Sequence, residues 1–295
     1  MNVLISAAAL QERLAAGERT VLLDVRWALG DPHGRDHYLA GHLPGAVFAD
    51  MDTELASHGL PSDGRHPLPA EADFAATVRR WGINTGDTVV VYDDAGAAAA
   101  ARAWWLLGYA GIPDVHLLDG GLAAWRGAGL PLAAGEVRAE PGNAVVRYGA
   151  RETIDADAAA AWDGVLLDAR AGERYRGEAE PIDPRAGHIP GAVSAPTSEN
   201  LAEGRFRPAQ DLRARFESLG VSPDTPVAVY CGSGVTAAHQ IAALEIAGFK
   251  AALYPGSWSA WSNQPGRPVA TGPTAGGASG GASGGRGGNG DRVEA

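Results

Sequence analysis

The chain has 295 residues, with 24 Lys and Arg against 35 Asp and Glu and a formal net charge of −11. That balance argues against a nucleic-acid backbone or an anionic membrane surface as principal partner. The single cysteine, Cys231, excludes an internal disulfide framework and any multi-cysteine zinc or iron–sulfur site, and points to a reducing compartment.

Read in chain order, the opening MNVLISAAALQERLAAGER sets no basic segment before its apolar stretch and runs straight into charged helical patterning. No targeting segment is expected, and the expected location is cytoplasmic. Short β-branched runs follow (VLLDV, VVVY, VHLLD), each leading into a loop and a helical stretch. The stretch AAAAARAWWLLGYAG is rich in helix formers and ends at Gly111, a C-cap residue. The same text then returns. VLLDVR at Val21–Arg26 reappears as VLLDAR at Val165–Arg170, and GHLPGAV at Gly41–Val47 as GHIPGAV at Gly187–Val193. VVVYDD at Val89–Asp94 reappears as VAVYCG at Val227–Gly232, and DGGLAAW as PGSWSAW. Echoes in one order at nearly constant separation mean two homologous domains. We expect these at 1–132 and 149–271, with a linker at 133–148. Runs apolar at every position suit parallel strands buried on both faces, so the fold class is α/β. The longest uncharged stretch, Thr225–Leu244, reads as strand, loop and helix rather than a membrane span. Residues 272–295 are rich in glycine and are expected as a flexible coil.

The stretch VAVY-CGSGVT-AAHQIAALEIAG is the most informative. A hydrophobic strand ends at Tyr230, a glycine-rich turn follows, and a helix begins near Thr236. In such a turn the backbone N–H groups point inward as a nest for negative charge, and the helix N-terminus adds partial positive charge on the same side. A thiol held there loses its proton more readily. A lone cysteine is commonly a small buried hydrophobe. In this setting Cys231 reads instead as a nucleophile, with Gly232 and Gly234 leaving the approach open. A Walker phosphate loop fails, because Val235 and Thr236 stand where Lys and Ser/Thr are needed.

On these residues the chain resembles the rhodanese superfamily in its two-domain sulfurtransferase form. The resemblance spans roughly 4–269 and rests on the two GH[LI]PGAV elements, on PSDGRHPLP at Pro61–Pro69, and above all on CGSGVT at Cys231–Thr236. It implies two tandem rhodanese-like domains, each a mainly parallel sheet flanked by helices. The six-residue loop is similar to the mercaptopyruvate version. The thiosulfate version carries two basic residues after the cysteine, where this chain has Gly232 and Ser233. A neutral loop with a hydroxyl, and an arginine farther off, suits a keto acid with one carboxylate better than a compact dianion. In the first copy Asp93 stands where the second has Cys231, so the N-terminal domain is expected to be inactive and to wall the site.

The resemblance implies Cys231 as nucleophile and Gly232, Ser233, Gly234, Val235 and Thr236 as substrate loop. Arg174 matches the substrate arginine of the G-R-[FY]-x-G pattern, although Glu173 replaces the preceding glycine. Arg185, or alternatively Arg176, is expected as the second substrate arginine. A histidine of the N-terminal element approaches the loop serine in mercaptopyruvate-type enzymes, which makes His42, oriented by Asp36, the candidate relay to Ser233. The plainer reading is that His42 and His188 serve turn structure in both copies. His33, His37 and His42 share no firm helical face, so no metal site is expected, and the chemistry needs no cofactor.

The expected function is sulfur transfer from 3-mercaptopyruvate through a Cys231 persulfide to a thiol, cyanide or a thioredoxin-like protein. Thiosulfate as donor is the alternative, and a non-enzymatic sulfur carrier or binding module the second. Phosphatase chemistry, known on one branch of this fold, needs an arginine six or seven residues past the cysteine, where Ala237 and Ala238 stand. No heptad or exposed apolar stripe marks an oligomer, so a monomer is expected.

Overall fold

Apolar runs of four or five residues give strands that need cover on both faces, and the chain builds two such sheets. The computed structural model describes residues 2–276. Its first half holds β1 (Leu4–Ile5), α1 (Ala7–Ala15), β2 (Thr20–Asp24), α2 (Gly34–Ala40), β3 (Val47–Phe48), α3 (Glu71–Arg80), β4 (Thr88–Tyr92), α4 (Ala100–Tyr109), β5 (Val115–Leu118) and α5 (Gly121–Gly127). Its strands form a parallel sheet of order β1-β5-β4-β2-β3. The second half holds α6 (Ala156–Ala160), β6 (Val165–Asp168), α7 (Gly172–Arg176), β7 (Val193–Ser194), β8 (Leu201–Ala202), β9 (Arg205–Phe206), α8 (Ala209–Ser218), β10 (Val227–Tyr230), α9 (Val235–Ile246), β11 (Ala252–Leu253) and α10 (Ser257–Ser262). Its parallel sheet runs β11-β10-β6-β7, the first sheet's order without β1, and β8 and β9 make a small antiparallel hairpin. β4 and β10 are buried at every residue.

The repeated motifs are repeated hydrogen bonds. Asp24 holds Arg26 at 2.6 Å as Asp168 holds Arg170 at 2.6 Å, and each arginine donates to the glycine carbonyl of its GH[LI]PG element at 2.6 Å. These ion pairs are buried yet closed on themselves, which is the condition for tolerating charge in a core. The Tyr92 and Tyr230 hydroxyls accept from the backbone N–H groups of Leu43 and Ile189 at 3.0 and 3.1 Å. Trp125 and Trp261 each donate to a proline carbonyl at 2.8 Å. Both halves thus tie the end of the central strand to the same turn.

The two halves meet along α4 and α9. Small residues let these helices approach closely, and one hydrophobic core runs through the contact. It joins Val91, Trp104, Trp105 and Leu107 of the first half to Val229, Ala238, Ile241 and Leu244 of the second. Each helix sends one buried polar side chain across to the other half's loop. Arg102 of α4 donates to the Gly234 carbonyl at 3.2 Å, and His239 of α9 bonds through Nε2 to the Gly96 carbonyl at 3.1 Å.

Residues 133–148, expected as a linker, lie along the first half. Ala133 pairs with His42, Val137 N–H donates to the Tyr38 hydroxyl at 3.0 Å, and the Tyr148 hydroxyl donates to the Pro69 carbonyl at 3.0 Å. The glycine-rich segment expected as coil from 272 begins bound instead. Gly272 N–H donates to the Arg176 carbonyl at 2.9 Å, and Gly191 N–H to the Ala275 carbonyl at 2.6 Å; residues 277–295 lie outside the described part. Among the described residues no helix is long and apolar enough to cross a membrane.

Burial pulls the His239 imidazole down to about 4. Folded His239 therefore stays neutral, while the unfolded chain takes up its proton below about pH 6.5. Stability present at neutral pH is lost as pH falls from the unfolded value toward the folded one. Denaturant unfolding at about pH 7 and about pH 4.5 should show a loss that is smaller in His239→Gln by about 2 kcal/mol.

Candidate active site

Cys231 follows directly on β10, and α9 starts four residues later. The turn between them is pinned from the side by α10, the PGSWSAW echo. Trp258 N–H donates to the Cys231 carbonyl at 2.9 Å and Ser259 N–H to the Gly232 carbonyl at 2.8 Å. Cys231 N–H donates to Ser257 Oγ at 3.1 Å. With those carbonyls drawn away, the Gly234 N–H turns inward and donates to Cys231 Sγ at 3.1 Å. Gly234 has φ of +81°, and a Cβ there would stand 2.5 Å from the Pro255 carbonyl oxygen, so the turn requires glycine. The thiol is more deeply set than the sequence implies: Cys231 is 1% exposed. It packs within the apolar core that joins the halves, with polar groups on the side of its turn facing the first half.

That side is built by the PSDGRHPLP segment and α4. His66 Nδ1 lies 2.8 Å from Ser233 Oγ, and its Nε2 lies 3.5 Å from an Asp52 oxygen. Burial and the Arg102 guanidinium, with Arg65, push His66 down to about 4 against the opposing pull of Asp52. His66 is therefore neutral at pH 7. With Nε2–H toward the carboxylate, Nδ1 accepts the serine hydroxyl proton. Arg102 is fully buried and donates to the carbonyls of Leu55, His66 and Gly234, with no carboxylate among its partners in the described residues. Burial draws it down to about 10, and the charge of Cys231 is the first influence opposing that fall.

At the rim, Arg174 of α7 reaches over the loop: its Nη1 stands 3.4 Å from where a Cβ on Gly232 would be. It donates to Glu180 at 2.6 Å and to Asp183 at 3.1 Å. Arg65, from the other half, lies on the same spot, with Nη2 at 3.1 Å from that Cβ position, and is paired with Asp183. Thus Cys231, Gly232, Ser233, Gly234 and Arg174 are brought together as expected, with Val235 and Thr236 opening α9.

Four expectations are corrected. Arg185 is turned away and donates to the carbonyls of Trp261, Ser262, Gln264 and Arg267, which makes it a clamp on the end of α10. Arg176 pairs with Glu178 at 2.7 Å on the surface. His42 stacks on Tyr38 at 4.2 Å and bonds to the Tyr38 carbonyl at 2.9 Å; His188 does the same with Tyr175 at 3.8 and 2.8 Å. A histidine fixed identically in both halves belongs to the turn, not to a relay. Asp36 pairs with exposed His33 at 3.1 Å. The residue beside Ser233 is instead His66, with Asp52 behind it, and the repeat could have flagged the histidine: His66 falls where the second half has Phe206.

In the first half the matching turn is filled. Asp93 is buried and accepts from the N–H groups of Ala95, Ala97, Ala99 and Ala100 at 2.8–2.9 Å. The nest that cups sulfur in one domain is closed in the other by a carboxylate of its own chain.

Residues 6–128 and 151–264 each match the family model of the Rhodanese-like domain, and the chain belongs to the rhodanese family. It is 49% identical over 277 residues to a Mycobacterium tuberculosis protein provisionally named thiosulfate sulfurtransferase SseB, covering 92% of this chain and 98% of that one. It is 37% identical over 260 residues to the 3-mercaptopyruvate sulfurtransferase of Escherichia coli, covering 84% and 91%. The crystal structure of SseA from Escherichia coli superposes with a TM-score of 0.78 at 34% identity, covering 88% of this chain and 99% of that one.

Because Arg185 clamps the end of α10, Arg185→Ala should lower stability by about 2 kcal/mol, a few degrees in Tm for a chain of this size. Alkylation of Cys231 by iodoacetamide should keep its wild-type rate.

Proposed function

We propose that this protein is a 3-mercaptopyruvate sulfurtransferase that works through a persulfide on Cys231. The observation that carries the reading is the convergence on one turn of a thiol beneath an inward amide, a serine hydroxyl on a neutral histidine, and a guanidinium at the rim. Each has a task. Arg174 holds the donor's carboxylate, which sets its sulfur against Sγ. The Cys231 thiolate attacks that sulfur; a sulfur–sulfur bond forms as the donor's carbon–sulfur bond breaks. The electron pair passes into the keto group as an enolate. The thiol proton of the donor ends on carbon, giving pyruvate, and the Ser233 hydroxyl backed by His66 is the group at hand to carry it. The Gly234 amide and buried Arg102 favour negative charge on sulfur throughout, where low dielectric makes them count most.

A thiol, cyanide or a thioredoxin-like protein then removes the outer sulfur. The N-terminal domain carries no sulfur itself, since its turn holds Asp93 in place of a thiol. It supplies His66, Asp52 and Arg102 instead. Both walls of the site come from a single chain, so a monomer suffices, and a lone free thiol fits a reducing cytoplasm.

Intact mass after mercaptopyruvate treatment should rise by one sulfur, fall back on adding cyanide, and stay unchanged in Cys231→Ser. An unchanged wild-type mass would leave only a binding module. With cyanide as acceptor, Arg174→Ala should raise KM for mercaptopyruvate about tenfold or more with a smaller change in kcat. Ser233→Ala should lower kcat by about a hundredfold. If Arg174→Ala leaves the donor's kinetics unaltered, the carboxylate is held elsewhere.

A further inference from the structure

The turn CGSG carries no charge, yet two guanidinia meet over its second residue. One belongs to the catalytic half and one does not: Arg174 Nη1 and Arg65 Nη2 lie 3.4 and 3.1 Å from the point where a Gly232 side chain would begin. Gly232 is the position at which a basic side chain would bring charge to the loop itself. Its missing side chain leaves the room into which Arg65 reaches across the domain boundary. The Arg65 Nε is buried and has no hydrogen-bond partner among the described residues, so part of its donor capacity is unused there.

Asp183 is the counterweight. Its side chain is 2% exposed, and it pairs with Arg65 and with Arg174, which also holds Glu180 at 2.6 Å. With Arg170, which stands 3.3 Å from Glu180 and is paired with Asp168, three cations against three carboxylates leave the rim formally neutral. Burial and neighbouring Glu180 push the Asp183 carboxyl up, against the two arginines. An incoming anion competes with Asp183 for the same two guanidinia. A dianion gains twice what a monoanion gains from each charge it meets at a given distance.

We propose that Arg65 is a donor-selecting residue: it brings to the rim, from the N-terminal domain, the second positive charge that the loop lacks. The site thereby takes thiosulfate as well as mercaptopyruvate, and Asp183 sets how much of that charge a donor meets. The inference rests on the sulfurtransferase reading above. With thiosulfate, the Cys231 thiolate attacks the outer sulfur, the sulfur–sulfur bond to the sulfonate breaks, and the electron pair leaves with sulfite. The persulfide anion formed is the same, and no other reactant is needed.

The test measures kcat/KM for both donors with cyanide as acceptor, in wild type, Arg65→Gln, Arg65→Lys and Asp183→Asn. Arg65→Gln should lose tenfold or more on thiosulfate and no more than about threefold on mercaptopyruvate, and Arg65→Lys should recover part of the loss. Asp183→Asn removes the competing carboxylate and should improve thiosulfate use about threefold or more, a gain that a misfolded variant cannot give. Equal losses on both donors in Arg65→Gln, or none, would sink the proposal, as would a wild type that gains sulfur from mercaptopyruvate but not from thiosulfate. A wild type that gains sulfur on Cys231 from neither donor would instead refute the sulfurtransferase reading itself.

Discussion

The turn at Cys231 depends on where two carbonyls point. Trp258 and Ser259 take up the Cys231 and Gly232 oxygens, and only with those oxygens held away can the next amide face the sulfur. A buried carbonyl left without a donor costs about 1–3 kcal/mol, so the turn and the start of α10 hold each other in place. The PGSWSAW motif is therefore half of the nest, although it is separated from the cysteine by the whole of α9 and β11. Arg185 belongs to the same arrangement from the other side: it gathers the free carbonyls at the end of α10 and keeps that short helix where the turn needs it.

The halves are related by exchange. Each covers the other's turn with an equivalent segment and reaches it with an equivalent residue of its long helix. The live turn receives His66 and Arg102; the filled turn receives Phe206 and His239. The difference follows the charge in each. Beside the turn that holds Cys231, the visitor is a cation whose partners are carbonyls. Where Asp93 already has four N–H donors, a neutral ring is enough.

Much of this was legible from the chain alone. The apolar runs, the duplicated motifs and the strand–Cys–glycine turn–helix sequence led directly to two parallel sheets and to the turn itself. Arg174 was found through a local pattern on α7, early in the second half. For His42 the plainer reading, turn structure in both copies, agrees with the structure, while the relay implied by the family resemblance does not. Only one half has a thiol, so a position that differs between the copies is a pointer to what serves it, and His66 against Phe206 is such a difference. Arg185 could not have been read, because its four acceptors lie more than seventy residues away in sequence. Arg65, Asp52 and Arg102 were hidden for the same reason: the side chains that complete the site cross a boundary drawn by the repeat.

The shared core behind α4 and α9 has a consequence for traffic. Hinging the halves apart would bare Trp104, Trp105, Ile241 and Leu244 to water together, at about 1.5–3 kcal/mol for each large side chain. Prising the cleft open therefore costs several such side chains at once, whereas Arg174, Arg65 and Asp183, the side chains over the Cys231 turn, belong to no part of that core.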